Sequence, residues 1–596
     1  DHFEPRSFHA LSGYCARSFK DYSVPIGEDM TQRFITRHRL VKKKPNADVS
    51  IPVEPIVYYI DPGTPEPVRT ALLDGARWWS EAFEAAGFRD AFEVKMLPRD
   101  AHPLDVRYNM IQWVHRSTRG WSYGMSVIDP RTGEIIKGHV SLGSLRVRQD
   151  YLIAEGLLSP YDGEMPDNDP DPMLEMALNR IRQLSAHEVG HTLGLAHNFA
   201  SSVNNRASVM DYPHPKVSIT ESGELDLSQA YDTGVGEWDK LAIRYGYGYG
   251  HAESDTEKQY LQNIIDEGIE RNLRFISDRD ARPLGGAHPE AHLWDNGVNP
   301  AEQLGHIMKV RRQALDQFSA TNIKQGEPMA ALEEVLVPIY LYHRYQVEAA
   351  VKLVGGVDYA YKMRGDELAG PQQVSERMQN SAISALLRTI SPEALAMPEQ
   401  FLELIPPRPL GYPSGRETFD GQTGVTFDPY AAAESASKIT LEALLQPDRA
   451  MRMIQQHARN SDLPSFQQLL DQILKTTWYA EQKSGYAGNL QRTINHTTLN
   501  TVLDLAAEVD LPELVKADLY TKLRELKNRL ADIDMDMEME LHRSSIAYAL
   551  AEIERFFENP NTFESAETVD PPPGSPIGSE LGVEDGAKWF REFNEK

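Results

Sequence analysis

The stretch SAHEVGHTLGLAHNFASS, residues 185–202, places three of the chain's 18 histidines within eleven residues. His187 and His191 are four apart, so on a helix both imidazoles leave from one face, one above the other. Two neutral imidazoles aimed at one point can hold Zn²⁺ at ~2.0–2.1 Å each. Glu188 stands on the rim of that face, where its carboxylate reaches a metal-activated water without being a ligand. Gly194 falls just past the helix, where a left-handed residue ends it and turns the chain, bringing His197 back as a third ligand. Three protein ligands leave one position open, the pattern of a catalytic site rather than a structural one. The chemistry expected is hydrolysis by a zinc-activated water, with Glu188 as general base.

A helix over about 173–193 must carry this motif, following an acidic, proline-rich loop at 160–172. Upstream, the runs PIVYYID (55–61), FEVKML (92–97), NMIQWVH (109–115), YGMSVID (123–129) and EIIKGHVSLG (134–143) read as strands by length and by β-branched and aromatic content. Pro130-Arg131-Thr132-Gly133 joins the last two as a hairpin. Val68, Leu72, Trp79, Phe83 and Ala86 recur at helical spacing between the first two strands. This order predicts a mixed twisted sheet with one antiparallel edge strand, packed on the zinc helix: an α+β catalytic domain. Beyond about Asp255 helical periodicity dominates, at 257–276, 300–319, 330–354, 371–389, 439–457, 464–478, 511–529 and 541–557. The expected organisation is a lead-in segment at 1–54, a catalytic domain at 55–250, helical domains at 251–430 and 431–560, and a Pro/Gly-rich tail at 561–596.

A chain of 596 residues exceeds one core and predicts several domains. Acids outnumber bases 88 to 61, for a formal net charge of -27. That balance argues against a nucleic-acid or anionic-membrane partner, because phosphates are repelled overall. The single cysteine, Cys15, allows no internal disulfide and no thiolate-rich zinc site. No run approaches the ~18 apolar residues of a membrane span.

The full pattern HExxHxxGxxH resembles the metzincin clan of zinc peptidases. SVMDY, residues 208–212, is similar to the metzincin Met-turn, with Met210 as the methionine packed beneath the zinc-binding histidines. The tyrosine two residues on, Tyr212, matches the tyrosine that in astacins and serralysins ligates zinc and swings to stabilise the transition state. Asn198 stands where astacins carry glutamate and serralysins proline. The segments from DVRYNMIQWVH to SLRVRQDYLI, GVGEWDKLAIRYGY (234–247) and HPEAHLWDNG (288–297) resemble a family of large bacterial zinc-dependent metallopeptidases, a metzincin core flanked by domains of unknown function. The resemblance implies a zinc endopeptidase acting on a peptide or protein substrate, with periplasmic or extracellular localisation. It also implies that the antiparallel edge strand binds substrate as an added strand, with Gly124 and Met125 nearest the scissile bond. Two other readings stay open: a self-processing or single-partner peptidase with a gated cleft, and a zinc-stabilised binding or assembly module.

Other features receive quieter readings. Ca²⁺ is a candidate second ion at the acidic loop, where Asp162, Asp167, Asn168, Asp169 and Asp171 offer oxygens, but their spacing matches no EF-hand. His214 reads as a solvated loop histidine and Cys15 as a buried small hydrophobe. YGYGYG (245–250) reads as a flexible exit from the catalytic domain.

Overall fold

Five short segments of alternating or continuous apolar character, with a two-residue strand ahead of them, assemble one six-stranded sheet. The structure is a computed structural model, and it describes residues 3–116, 122–161, 171–249, 257–534, 540–566 and 568–573. Near the N-terminus β1 (Ala16–Lys20) and β2 (Thr31–Ile35) form a hairpin, and β3 (Arg37–His38) joins the main sheet. The other strands of that sheet are β4 (Ile56–Ile60), β5 (Phe92–Met96), β6 (Asn109–Val114), β7 (Tyr123–Ile128) and β8 (Glu134–Gly143). The order is β3-β8-β6-β4-β5, with β7 also on β8. All pairs are parallel except β7–β8, whose register sets Gly124 opposite Val140 and Met125 opposite His139. Among the described residues β7 pairs with β8 alone, so its outer edge carries unmatched backbone groups.

Helices α1 (Val68–Arg77) and α2 (Trp79–Ala85) follow β4; α3 (Leu145–Leu158) and α4 (Pro172–Thr192) follow β8. Asp171 caps α4 by accepting from the Met173 N–H, and Pro172 fills the first turn, where no amide partner is needed. The helix runs 21 residues and is buried along most of its length, polar residues included. It lies tight against α1: a Cβ on Gly75 would fall 1.9 Å from the Arg182 carbonyl oxygen. At its far end the orphan carbonyls are met by side chains. Thr192 O accepts from His38 Nε2 (3.0 Å), and Leu193 O from the Tyr247 hydroxyl (2.9 Å). Gly194 takes φ +102°, and a Cβ there would stand 2.0 Å from Thr36 O. The turn it makes is braced by the N-terminal segment, since Cys15 N–H donates to Gly194 O and Ala196 N–H to Gly13 O.

After α5 (Glu237–Tyr247) and α6 (Glu257–Glu270) the chain is mainly helical, with long helices at Pro300–Gln317, Glu376–Thr389, Pro429–Leu444, Pro447–Arg459, Phe466–Thr476, Gly485–Ala507, Glu513–Ala531 and Glu540–Glu558. Two large cores result. One lies between the sheet, α1, α2, α4 and α5, around Tyr58, Trp79, Ile181 and Met210. The other is continuous from α3 and the start of α4 through the helices to Phe563. A small third cluster, which includes Phe199, Ile276, Ala281, Leu293, Trp294 and Tyr345 with Tyr212 packed on it, adjoins His197. No described helix is long and apolar enough to cross a membrane.

Candidate metal centre

The helical spacing and the Gly194 turn bring the three imidazoles together. His191 Nε2 lies 3.1 Å from both His187 Nε2 and His197 Nε2. Each Nδ1 is engaged on the outside: His187 with Val209 O (2.7 Å), His191 with Leu195 O (2.9 Å), His197 with the Asp278 carboxylate (3.0 and 2.9 Å). A carbonyl or carboxylate can only accept, so the Nδ1 atoms carry the protons and the Nε2 lone pairs converge. Converging lone pairs repel one another unless a cation sits between them. Three nitrogens on a tetrahedron of ~2.0–2.1 Å bonds are about 3.3 Å apart, close to this spacing. Burial and the neighbouring rings keep His187 and His191 neutral, His191 pushed down to about 3, as metal ligands require. The donor set therefore fits Zn²⁺. These histidines are the sole group among the described residues with three side chains placed to hold one metal ion.

Glu188 is 4% exposed. Burial pushes its carboxyl up to about 8, opposed by the Arg180 guanidinium and by a hydrogen bond from the Gly124 N–H, both of which favour the ionised form. A bound divalent cation adds to that side of the balance. Gly124 ties β7 to α4 in a second way. A Cβ there would stand 2.2 Å from Glu188 O and 3.0 Å from His191 Cβ, so only glycine lets the strand approach this closely. Met125, beside it, faces outward and is 42% exposed.

Met210 is fully buried behind α4, where a Cβ on Gly190 would strike its sulfur at 2.3 Å and Trp79 at 2.8 Å. The turn that carries Met210 is fastened by Asp239 of α5, which accepts from Ser208 Oγ (2.6 Å) and Val209 N (2.8 Å). The Tyr212 ring lies 5.0 Å from the His187 ring and 4.8 Å from His197, and stacks on Trp294 (4.9 Å, 21°). So the structure brings Tyr212 to the histidines, with Trp294 behind it.

Sequence reasoning missed Asp278, Arg282 and Trp294. The first two lie at α7 (Asp278–Ala281) and just after it, past the expected end of the catalytic domain. The string ISDRDARP reads as a polar turn, and nothing local says that its first acidic group meets a histidine 81 residues earlier.

Several quieter expectations are corrected. His214 is buried, its ring 4.7 Å from Tyr342 and 6.0 Å from Tyr345, because the helical region covers the loop; burial drives its imidazole down to about 3. Cys15 is exposed at the surface, its backbone N–H donating to Gly194 O and its Sγ 3.9 Å from Leu195 O. Tyr245 and Tyr247 are buried in α5 rather than in a flexible exit, and residue 250 lies outside the described residues. Residues 162–170 of the acidic loop also lie outside them, and Asp171 serves α4 as its cap.

A family model described as Met-zincin matches residues 169–485, more than half of the chain. No curated protein and no solved structure matches it.

Proposed function

The chain belongs to the Met-zincin family, and from that premise we propose that it is a zinc-dependent endopeptidase with His187, His191 and His197 as ligands and Glu188 as general base. The observation that carries the reading is the convergence of three Nε2 atoms beside a buried carboxylate on the same helix. Zinc held there would polarise the scissile carbonyl and acidify a water towards pKa ~7. Glu188 takes the proton of the attacking water and passes it to the leaving amide nitrogen as the C–N bond breaks. The Gly124 N–H steadies the Glu188 carboxylate in its ionised form. Tyr212, beside the ligands, donates a hydrogen bond to the carbonyl oxygen as negative charge grows on it. The open edge of β7 offers backbone groups to an extended substrate, with Gly124 and Met125 nearest the bond to be cut.

A narrower form of this reading, a peptidase for one partner or for itself, is favoured by burial. His187 is 1% exposed, and Trp294 is packed against Tyr212. Cleavage of a diverse peptide library by zinc-loaded protein tests both forms: many products indicate broad proteolysis, a single motif indicates selectivity. No cleavage of the library or of any co-expressed protein, with one zinc bound per chain, overturns the peptidase reading and favours a zinc-stabilised binding module.

A further inference from the structure

Arg282 stands between two residues of the metal centre. On one side it pairs with Asp278, its Nε against Oδ1, while the same carboxylate receives His197 Nδ1 at 2.9 Å. On the other its guanidinium lies against Tyr212, the guanidinium carbon 5.6 Å from the Tyr212 ring and 5.6 Å from the Phe199 ring. Tyr212 is fixed from a third direction by Trp294, which stacks on its ring and donates its backbone N–H to Tyr212 O at 2.8 Å. The bulky Trp294 holds a left-handed backbone (φ +63°) to do so, a conformation that side chains of its kind rarely adopt.

The chemistry of the donors turns the phenol proton away from Arg282. A guanidinium has five N–H donors and no acceptor, so toward Arg282 the phenol oxygen can only accept. The single phenol proton is then free for another acceptor. We propose that Arg282, anchored by Asp278, is a positioning residue that holds Tyr212 in place with its O–H presented to the substrate carbonyl oxygen, so that Tyr212 acts without swinging on and off the metal. The inference rests on the reading of Tyr212 as a hydrogen-bond donor. It gives the region beyond residue 250 a direct part in the site: Asp278 orients the third ligand, Arg282 the phenol, and one carboxylate links the two.

Two experiments test it. In steady-state kinetics on a cleaved peptide, Arg282→Ala should lower kcat about 10-fold to 100-fold, less than the ~10²–10³ expected for losing the donor itself, with KM and zinc content unchanged. Arg282→Lys should recover part of that loss. Arg282→Ala placed on Tyr212→Phe should cost nothing further, because both act through one hydroxyl; additive losses overturn the proposal. The second experiment needs no activity and so separates this proposal from the peptidase reading. A phenolate bound to Cu(II) gives a visible charge-transfer band. The Cu(II)-loaded wild type should lack it, Arg282→Ala should gain it, and Arg282→Ala with Tyr212→Phe should lose it again. A Tyr212-dependent band in the wild type, or none in Arg282→Ala, contradicts a phenol held by Arg282.

Discussion

His197 Nδ1 lies 2.9 Å from an Asp278 carboxylate oxygen, across 81 residues of sequence. Of the three proposed ligands it alone is oriented by a charged group; His187 and His191 use backbone carbonyls. Burial by itself would raise the Asp278 carboxyl, but the His197 ring and the Arg282 guanidinium outweigh it and hold the carboxyl well below the usual range. Asp278 therefore meets His197 as a carboxylate. Partners of this kind set the tautomer and raise ligand basicity, and their loss typically costs 10–100-fold in metal affinity. Asp278→Ala should weaken zinc binding by about that factor, measured by competition with a chelator. Unchanged affinity would show that the contact is incidental.

Gly194 is the hinge that returns His197 to the other two histidines. An alanine there combines a left-handed backbone, costing about 1–2 kcal/mol, with a Cβ 2.0 Å from Thr36 O. Gly194→Ala should lower Tm and reduce bound zinc together. A variant of wild-type stability and full zinc content would contradict the turn's role.

Tyr212→Phe keeps the ring that packs on His187 and His197 and removes only the hydroxyl. It should lower kcat by about 10²–10³ with little change in KM, since the bond strengthens in the transition state. Unaltered kinetics would reduce Tyr212 to a packing residue.

Lys352 is buried, with Nζ donating to Ala281 O and to Ala291 O (2.8 Å), so it fastens α7 to the segment that carries Trp294. Burial pushes its ammonium down to about 7, against Glu348 and Asp295. Between that value and ~10.4 the unfolded chain holds a proton that the folded chain has released, so this residue makes stability rise with pH across that window. Below pH 7 both states hold the proton and the slope vanishes. Lys352→Met should abolish the slope, read as Tm of variant and wild type from pH 7 to 9. An equal slope in both proteins would assign it to other groups.

How much of this was legible in the sequence depended on how far each interaction reaches. The zinc helix, its glycine stop and the strands around 55–143 follow from local spacing, and the hairpin at 130–133 puts β7 antiparallel to β8. The helix Gly485–Ala507 did not announce itself. Its stretch RTINHTTLNT is rich in Thr and Asn, poor helix formers, and buried Gln491, Asn495, Thr497 and Thr498 blur the apolar stripe. Where one helix was expected at 439–457 there are two, because Pro447 begins a new one. Asp278, Arg282, Trp294 and Asp239 act through contacts between distant segments, which spacing along the chain does not encode.

The measurement closest to the central claim compares zinc-loaded wild type with Glu188→Gln on the same peptide substrate, with metal content determined for both. In the proposed mechanism Glu188 does not ligate the metal, so the variant should keep the zinc content of the wild type. Without the base its turnover should fall by about 10²–10⁴-fold. Glu188→Gln cleaving at the wild-type rate, with its zinc retained, would contradict the account.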